Sequence, residues 1–219
     1  MKVFFDGYDI TGSKEITSKL LKLPPTVSFW THQKVNDELR GYIIKIDCKW
    51  AFISPLKYLI LRNGHYSELK KIALILESPH KDEYDFDEMP LRPANGETGR
   101  NIQNHLVKKL IDENFNFDDN TDYAVLLINP VQYQASCYHQ FSAQGLQSDK
   151  NLKNKVFRRL FDYLKTDFQY RIKSYNPDYI INACTGGVKG VLQQTVTNAL
   201  DSEFKNKVCL NLTHPSDWI

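Results

Sequence analysis

Three largely apolar runs in the 219-residue chain each lead into polar residues that include a proline. Such runs are typical of strands that are buried on both faces of a parallel sheet. Proline cannot donate to a sheet ladder and restricts the residue before it, so each strand should end there. The residues that follow the runs at 72–76, 125–128 and 208–212 are Glu77-Ser78-Pro79-His80, Asn129-Pro130 and Thr213-His214-Pro215-Ser216.

These residue types suit chemistry on a nucleobase and its sugar. A carboxylate such as Glu77 can orient a water molecule or oppose a sugar cation. The Asn129 amide carries donors and an acceptor, which suits the edge of a base. An imidazole such as His214 can stabilise an oxygen or base that gains negative charge. Because the carboxyl ends of parallel strands meet at one edge of a sheet, we expect these groups to lie together.

A glycine-rich turn offers a phosphate contact near the same edge. Thr185–Gly190 connects an apolar run at 179–184 to a predicted helix. Exposed N–H groups at the start of a helix, with Gly187 and Lys189 beside them, favour a phosphate. The turn matches no Walker pattern, and each motif taken singly also has a structural explanation, since Asn-Pro is often only a turn. Their combination is what favours a functional site.

The elements that must position these groups alternate between strands and helices, with helices predicted at about 100–112, 151–170 and 191–200. This alternation predicts an α/β fold of three layers, α/β/α, around a central, mainly parallel four-stranded sheet. The length suits a single domain over residues 1–219. We expect residues 70–218 to form the core that carries the motifs and residues 1–66 to form an N-terminal extension packed on it. A small strand-rich subdomain is the alternative for that extension.

Composition narrows the class of protein. The formal net charge is +2 and the pI is near 8.2, which permits nucleic-acid binding without requiring it. None of the four cysteines forms a C-x-x-C pair, so we expect reduced thiols, no iron–sulfur cluster and no metal. No apolar run approaches the length of a membrane span, and Asp6 interrupts the apolar start that a secretion signal needs. These features predict a cytoplasmic protein, and we expect a monomer.

At these motifs the chain resembles the uracil-DNA glycosylase superfamily, over roughly residues 70–218. Five stretches follow the order of the family's motifs. They are similar to the first strand-end motif, the Pro-Phe-x-Gly-x-Ser-Gly loop, the strand whose terminal Asn reads the base, the strand and turn that approach the DNA backbone, and the closing His-Pro-Ser motif. In the same order, the stretches are Leu76–His80, Pro93–Gly99, Leu126–Asn129, Tyr179–Gly187 and Thr213–Ser216.

The resemblance implies a base-excision enzyme that flips a nucleotide out of DNA and hydrolyses its N-glycosidic bond, leaving an abasic site. It implies no cofactor and no metal. By this resemblance Asn129 reads the base edge, His214 stabilises the departing base, and Glu77 positions water or stabilises the sugar cation. Asp82 and Glu83 are weaker candidates for the carboxylate.

The resemblance also implies which residues surround the base and hold the DNA. Ser78, with the residues of the glycine turn and the closing motif, would contact phosphates, and Trp218 is the large residue that could act as a wedge. The implied base pocket comprises Ser78, His80, Ala94 and Gln132, and the implied DNA contacts comprise Gly187, Lys189, Ser216 and Trp218.

Three departures from the family pattern affect the expected substrate. The water-activating aspartate of the best-known branch falls at Ser78, so Glu77 is the nearest substitute. His80 stands where that branch has a tyrosine that excludes bulkier pyrimidines, and Ala94 stands where an aromatic residue stacks on the base. These departures predict a roomier pocket for uracil or a bulkier base. Glucosylated hydroxymethylcytosine is one example, as in members that attack hypermodified phage DNA in antiviral defence.

Two other classes of function remain open on the sequence. The missing aspartate favours a catalytically inactive DNA-binding module of the same fold. A hydrolase of free nucleosides or nucleotides is the second alternative, because the same groups would serve a monomeric substrate.

Overall fold

The computed structural model describes residues 4–5, 8–9, 35–63, 68–79, 92–132, 150–185 and 191–218. Its elements in chain order are β1 (Phe4–Phe5), β2 (Tyr8–Asp9), β3 (Glu38–Ile46), β4 (Lys49–Ile53), α1 (Pro55–Arg62), β5 (Glu68–Ile75), α2 (Glu97–Asp112), β6 (Thr121–Ile128), α3 (Lys150–Tyr175), β7 (Tyr179–Asn182), α4 (Val191–Ala199), α5 (Ser202–Lys205), β8 (Val208–Asn211) and a 3-10 turn (Pro215–Asp217).

The centre of the sheet is parallel. β5 pairs in parallel with β6 on one side and with β7 on the other, and β7 pairs in parallel with β8. Alternate residues of β5 enter opposite layers, with Ala73 and Ile75 in one apolar cluster and Ile72 and Leu74 in the other. All four side chains are fully buried. The unbroken apolar run therefore belongs to a strand that is covered on both faces.

The sheet has six strands and is mixed, in the order β4-β3-β6-β5-β7-β8. The α/β class is confirmed, but the expectation of a four-stranded, mainly parallel sheet is corrected. β3 pairs antiparallel with β6, and β4 pairs antiparallel with β3. Asp47 and Cys48 both have positive φ, as a two-residue hairpin turn of type I′ requires, so the chain can return directly into β4. Residues 38–53 thus extend the sheet.

Helices cover both faces of the sheet. Residues of α3 and α4 pack in one apolar cluster with Ala73 and Ile75. Residues of α2 pack in the other with Leu212 and Trp218. No helix in the described part of the chain is long and apolar enough to cross a membrane.

The strand order creates a switch point at β5. The connection through α2 places β6 on one side of β5, and the connection through α3 returns the chain to the opposite side, where β7 lies. In open α/β sheets, ligands bind outside the carboxyl ends of the strands at such a point. The carboxyl ends of β5, β6 and β7 therefore mark the place to look for a site.

Candidate functional site

The chain that leaves β5 runs beside the chain that leaves β6. The Leu76 N–H donates to the Ile128 carbonyl at 2.9 Å, and the Val131 N–H donates to the Glu77 carbonyl at 3.4 Å. Glu77 is only 4% exposed. These backbone bonds bring the carboxylate predicted from the sequence next to the segment that carries Asn129.

Two amides on that segment are buried with open acceptors. Asn129 is 2% exposed and Gln132 is 3% exposed. Across the described residues, nothing donates a hydrogen bond to Asn129 Oδ1 or Gln132 Oε1, and Ser78 Oγ is likewise without a partner there. A buried polar group without a partner costs about 1–3 kcal/mol. Three such groups around the ends of adjacent strands indicate a place where a ligand supplies the missing partners.

The side-chain amide of Asn182, at the end of β7, differs from those of Asn129 and Gln132 because its acceptor has a hydrogen-bond partner. Its Nδ2 donates to the Gln193 carbonyl and to Thr197 Oγ1, each at 3.0 Å. Its Oδ1 accepts from the Cys184 N–H at 3.1 Å. All of these partners close the turn between β7 and α4. Burial alone therefore does not leave an amide open in this protein, which makes the open acceptors of Asn129 and Gln132 informative.

Asp37 contacts the candidate site, and the sequence did not reveal it. Its side chain is 1% exposed and lies just before β3. The carboxylate accepts from the Asn129 N–H at 3.3 Å and from Gln132 Nε2 at 3.1 Å. Burial raises the pKa of the Asp37 carboxyl, and the guanidinium of Arg171 opposes that rise.

Arg171, on α3, holds the same segment from its other side. Its Nη1 donates to Asp37 Oδ2. Its Nη2 donates to the carbonyls of Asn129 and Pro130 at 3.1 and 3.4 Å, and its Nε donates to Asp167 at 2.7 Å. The turn after β6 is therefore fixed through both its N–H and its carbonyl groups.

The closing motif fixes the tautomer of His214. The Ser216 N–H donates to His214 Nδ1 at 3.2 Å, and Ser216 Oγ lies 2.8 Å from the same nitrogen. A backbone N–H can only donate, so Nδ1 is an acceptor and the neutral ring carries its proton on Nε2. The Asn101 amide donates to the Pro215 carbonyl at 3.0 Å and ties this motif to α2.

His214 does not lie directly beside Asn129 in the sheet. It follows β8, and β7 separates β8 from β5. Neighbouring strands are about 4.8 Å apart, so the end of β8 lies on the order of 10 Å from the end of β5. The structure thus places Glu77 on a segment that is hydrogen-bonded to the one carrying Asn129 and Gln132. His214 and the exposed Ser216 lie farther along the same edge.

Two predicted site residues lie in the apolar core. Ala94 is 1% exposed, has a φ of 54°, and packs in the cluster that contains Leu76. Trp218 is 5% exposed, and its indole N–H donates to the Thr213 carbonyl at 3.0 Å. Trp218 would have to leave the core to enter DNA, so this conformation does not present it as a wedge.

The remaining predicted residues lie outside the described ranges, namely His80, Asp82, Glu83, Gly187 and Lys189. Among the residues that are described, no group of three or more His, Cys, Asp or Glu side chains could hold a metal ion. The three free cysteines described, Cys48, Cys184 and Cys209, take part in no disulfide.

Comparison of the chain with protein-family models, with curated proteins and with solved structures found no match. The resemblance to uracil-DNA glycosylases is therefore a hypothesis that rests on the five motifs.

Proposed function

We propose that this protein is a DNA glycosylase of the uracil-DNA glycosylase type that hydrolyses the N-glycosidic bond of a flipped, modified pyrimidine. The observation that carries the proposal is the pair of buried, open amide acceptors beside a buried carboxylate at the ends of β5 and β6. We also propose a cytoplasmic location, and the free cysteines support a reducing compartment.

The proposed reaction assigns one task to each group. Asn129 and Gln132 bind the edge of the base, and Glu77 opposes the positive charge that develops on the sugar or orients the attacking water. Water adds to the anomeric carbon as the bond to the base nitrogen breaks, and the proton that the water loses ends on the released base. The bonding electrons leave with the base, and a hydrogen bond from His214 Nε2–H stabilises the charge that the base gains.

Burial of the amides explains why the base must be flipped. A base that is stacked inside a duplex cannot reach side chains that are 2% and 3% exposed. Extrusion of the nucleotide costs a few kcal/mol, and the hydrogen bonds and stacking of the pocket offset that cost. A hydrogen bond to an open acceptor therefore contributes to recognition of the base and offsets part of the free-energy cost of flipping it.

The test is mass spectrometry of bases released from DNA. The panel holds uracil, mismatched thymine, hydroxymethylcytosine and glucosylated hydroxymethylcytosine. We expect release of one base by the wild type and a loss of at least about a hundredfold in Glu77→Gln. Glu113→Gln is the matched control, because Glu113 lies just past the far end of α2 and is exposed. Equal release by Glu77→Gln and the wild type would contradict the role of Glu77.

The sequence departure at Ser78 supports a second candidate, a catalytically inactive DNA-binding module. A serine cannot supply the carboxylate that activates water in the best-known branch of the family. This candidate predicts salt-dependent DNA binding and no base release from any substrate. Turnover of free nucleosides with little affinity for duplex would instead identify a nucleoside hydrolase.

A further inference from the structure

We infer that Asp37 is a positioning residue that turns the Gln132 amide so that the site recognises a base with an amino group. This inference rests on the proposed function and names its substrate class. The preferred base would be a cytosine-type pyrimidine, with an exocyclic amine, over a uracil-type pyrimidine with a carbonyl at the same position.

The hydrogen-bond partners of Asp37 indicate that its carboxylate is ionised. Arg171 donates to one carboxylate oxygen, and the Asn129 N–H and the Gln132 side chain donate to the other. Both oxygens therefore face donors. An ionised carboxylate only accepts hydrogen bonds, and these donors, together with the Tyr175 hydroxyl beside Asp37, favour that form.

The orientation of the Gln132 amide follows from this charge. An amide group has one end that donates and one end that accepts, and the two ends point in opposite directions. Because Asp37 requires a donor, Nε2 must face it, at 3.1 Å. Oε1 is then forced away from Asp37. The negative charge on Asp37 therefore fixes the orientation of the Gln132 amide.

Gln132 Oε1 is an acceptor that needs a donor from a ligand. The atom is buried, and within the described ranges no group donates to it. An amino group on a bound base would supply the missing hydrogen. A carbonyl oxygen at the same position would place two acceptors against each other and leave both desolvated and unpaired. The site therefore discriminates by what the base donates.

Arg171 makes the arrangement rigid. It binds Asp37 and also the carbonyls of Asn129 and Pro130, and Asp167 keeps its guanidinium in place. Gln132 cannot rotate its amide without leaving a buried carboxylate short of a donor. The preference is thus built into the fold before any base arrives.

The experiment compares the binding of two oligonucleotides that differ only in the hydrogen-bonding edge of one base, which has a 4-amino group and an N3 acceptor in one and a 4-carbonyl and an N3–H donor in the other. One carries 5-hydroxymethylcytosine and the other 5-hydroxymethyluracil, each on a 2′-fluoro sugar that suppresses hydrolysis. We expect the wild type to bind the amino base about tenfold or more tightly. Asp37→Asn can donate to Gln132, which frees the amide to turn, so we expect the ratio to fall to about one or to invert.

The matched control is Asp122→Asn. Asp122 is also a buried carboxylate that pairs with an arginine, Arg62, but it lies at the opposite end of β6. We expect this variant to keep the wild-type ratio. If Asp37→Asn does not fold, Gln132→Met removes the acceptor and leaves Asp37 intact, and we expect the same collapse of the ratio.

A wild type that binds both bases equally, or prefers the carbonyl form, would overturn the inference. An unchanged ratio in Asp37→Asn would overturn the role of Asp37, and an unchanged ratio in Gln132→Met would overturn the role of Gln132. A tenfold preference for the amino base, without base release from the ordinary 2′-deoxy substrates, would support the inference and contradict the proposed hydrolysis of the N-glycosidic bond.

Discussion

The side chains of Asp37 and Arg171 form a buried ion pair, although the two residues are 134 positions apart in the chain. Their side chains are 1% and 9% exposed. Between them they bind the backbone of Asn129 through its N–H and its carbonyl. The pair therefore joins the segment before β3 to α3 and fixes the strand end on which the candidate site depends.

We expect Arg171→Met to lower the free energy of unfolding by about 3–5 kcal/mol. The substitution leaves the Asp37 carboxylate buried without its counter-ion, which is the costly way to break a buried pair. Urea unfolding followed by circular dichroism measures the change. The control is Arg158→Met, since Arg158 is exposed on the same helix and its loss should cost no more than about 0.5 kcal/mol. Equal effects of the two changes would show that the pair adds little stability.

The central strands could be predicted because a strand that is buried on both faces has a recognisable pattern within its own short stretch of sequence. A strand covered on both faces needs apolar residues without interruption, and Ile72–Leu76 has them. The position of β3 could not be predicted in the same way. Its burial alternates only in part, and its partners β4 and β6 pair with it through backbone groups that any sequence carries. The sequence therefore predicts fewer strands than the sheet has.

The candidate site could be predicted only where it follows a strand. Glu77, Asn129 and Gln132 stand at or just after strand ends, where the sequence pattern indicates function. Asp37 belongs to no pattern, and its partner Arg171 lies beyond the helix end that was predicted near residue 170. The helix in fact continues to Tyr175. A buried pair formed over such a separation gives no signal in one sequence.

We expect His214 to carry its proton on Nε2 when the ring is neutral. The Ser216 N–H occupies Nδ1, so the other nitrogen must hold the proton. Long-range proton–nitrogen correlation NMR reports the tautomer directly, with His214→Gln to assign the signal. Ser216→Ala keeps the backbone donor, so the tautomer should persist in that variant. A ring protonated on Nδ1 would contradict the geometry.

The same tautomer makes a prediction for activity. If His214 stabilises the departing base, His214→Ala should slow base release by about a hundredfold to a thousandfold. Ser216→Ala should slow it less than about tenfold, because Nδ1 keeps its backbone partner. Single-turnover rates on the substrate identified by base release measure both. Equal losses in the two variants would indicate that Ser216 Oγ, and not the backbone, positions the ring.

We expect Gly99→Ala to destabilise the protein, although alanine normally favours a helix by roughly 0.5–1 kcal/mol over glycine. A Cβ at Gly99 would overlap the Ala94 carbonyl oxygen and lie 2.5 Å from the Arg40 guanidinium. Ala94 has positive φ and is buried, so it cannot move aside easily. Overpacking of this kind costs about 1–3 kcal/mol. Arg100→Ala is the control on the same helix, because Arg100 is exposed, and denaturant midpoints compare the two variants.

We expect Tyr58 and Tyr175 to ionise late in an alkaline titration. Burial and the nearby Asp122 carboxylate raise the pKa of Tyr58 to about 12, and burial and Asp37 raise the pKa of Tyr175 to about 12. The unfolded phenol has a pKa of 10.0. Because the folded protein favours the neutral phenol, this contribution to stability is complete below pH 10 and is lost as pH rises towards 12.

Two measurements check the late ionisation. Ultraviolet absorbance of the phenolate should show a titration step near pH 12 that is smaller in Tyr175→Phe, which has one fewer late phenol. The urea midpoint of the wild type should fall between pH 10 and 12. In Tyr175→Phe the fall should be shallower, since that variant no longer has to ionise a phenol beside Asp37. A step of unchanged size in Tyr175→Phe would show that Tyr175 is not one of the late-ionising phenols.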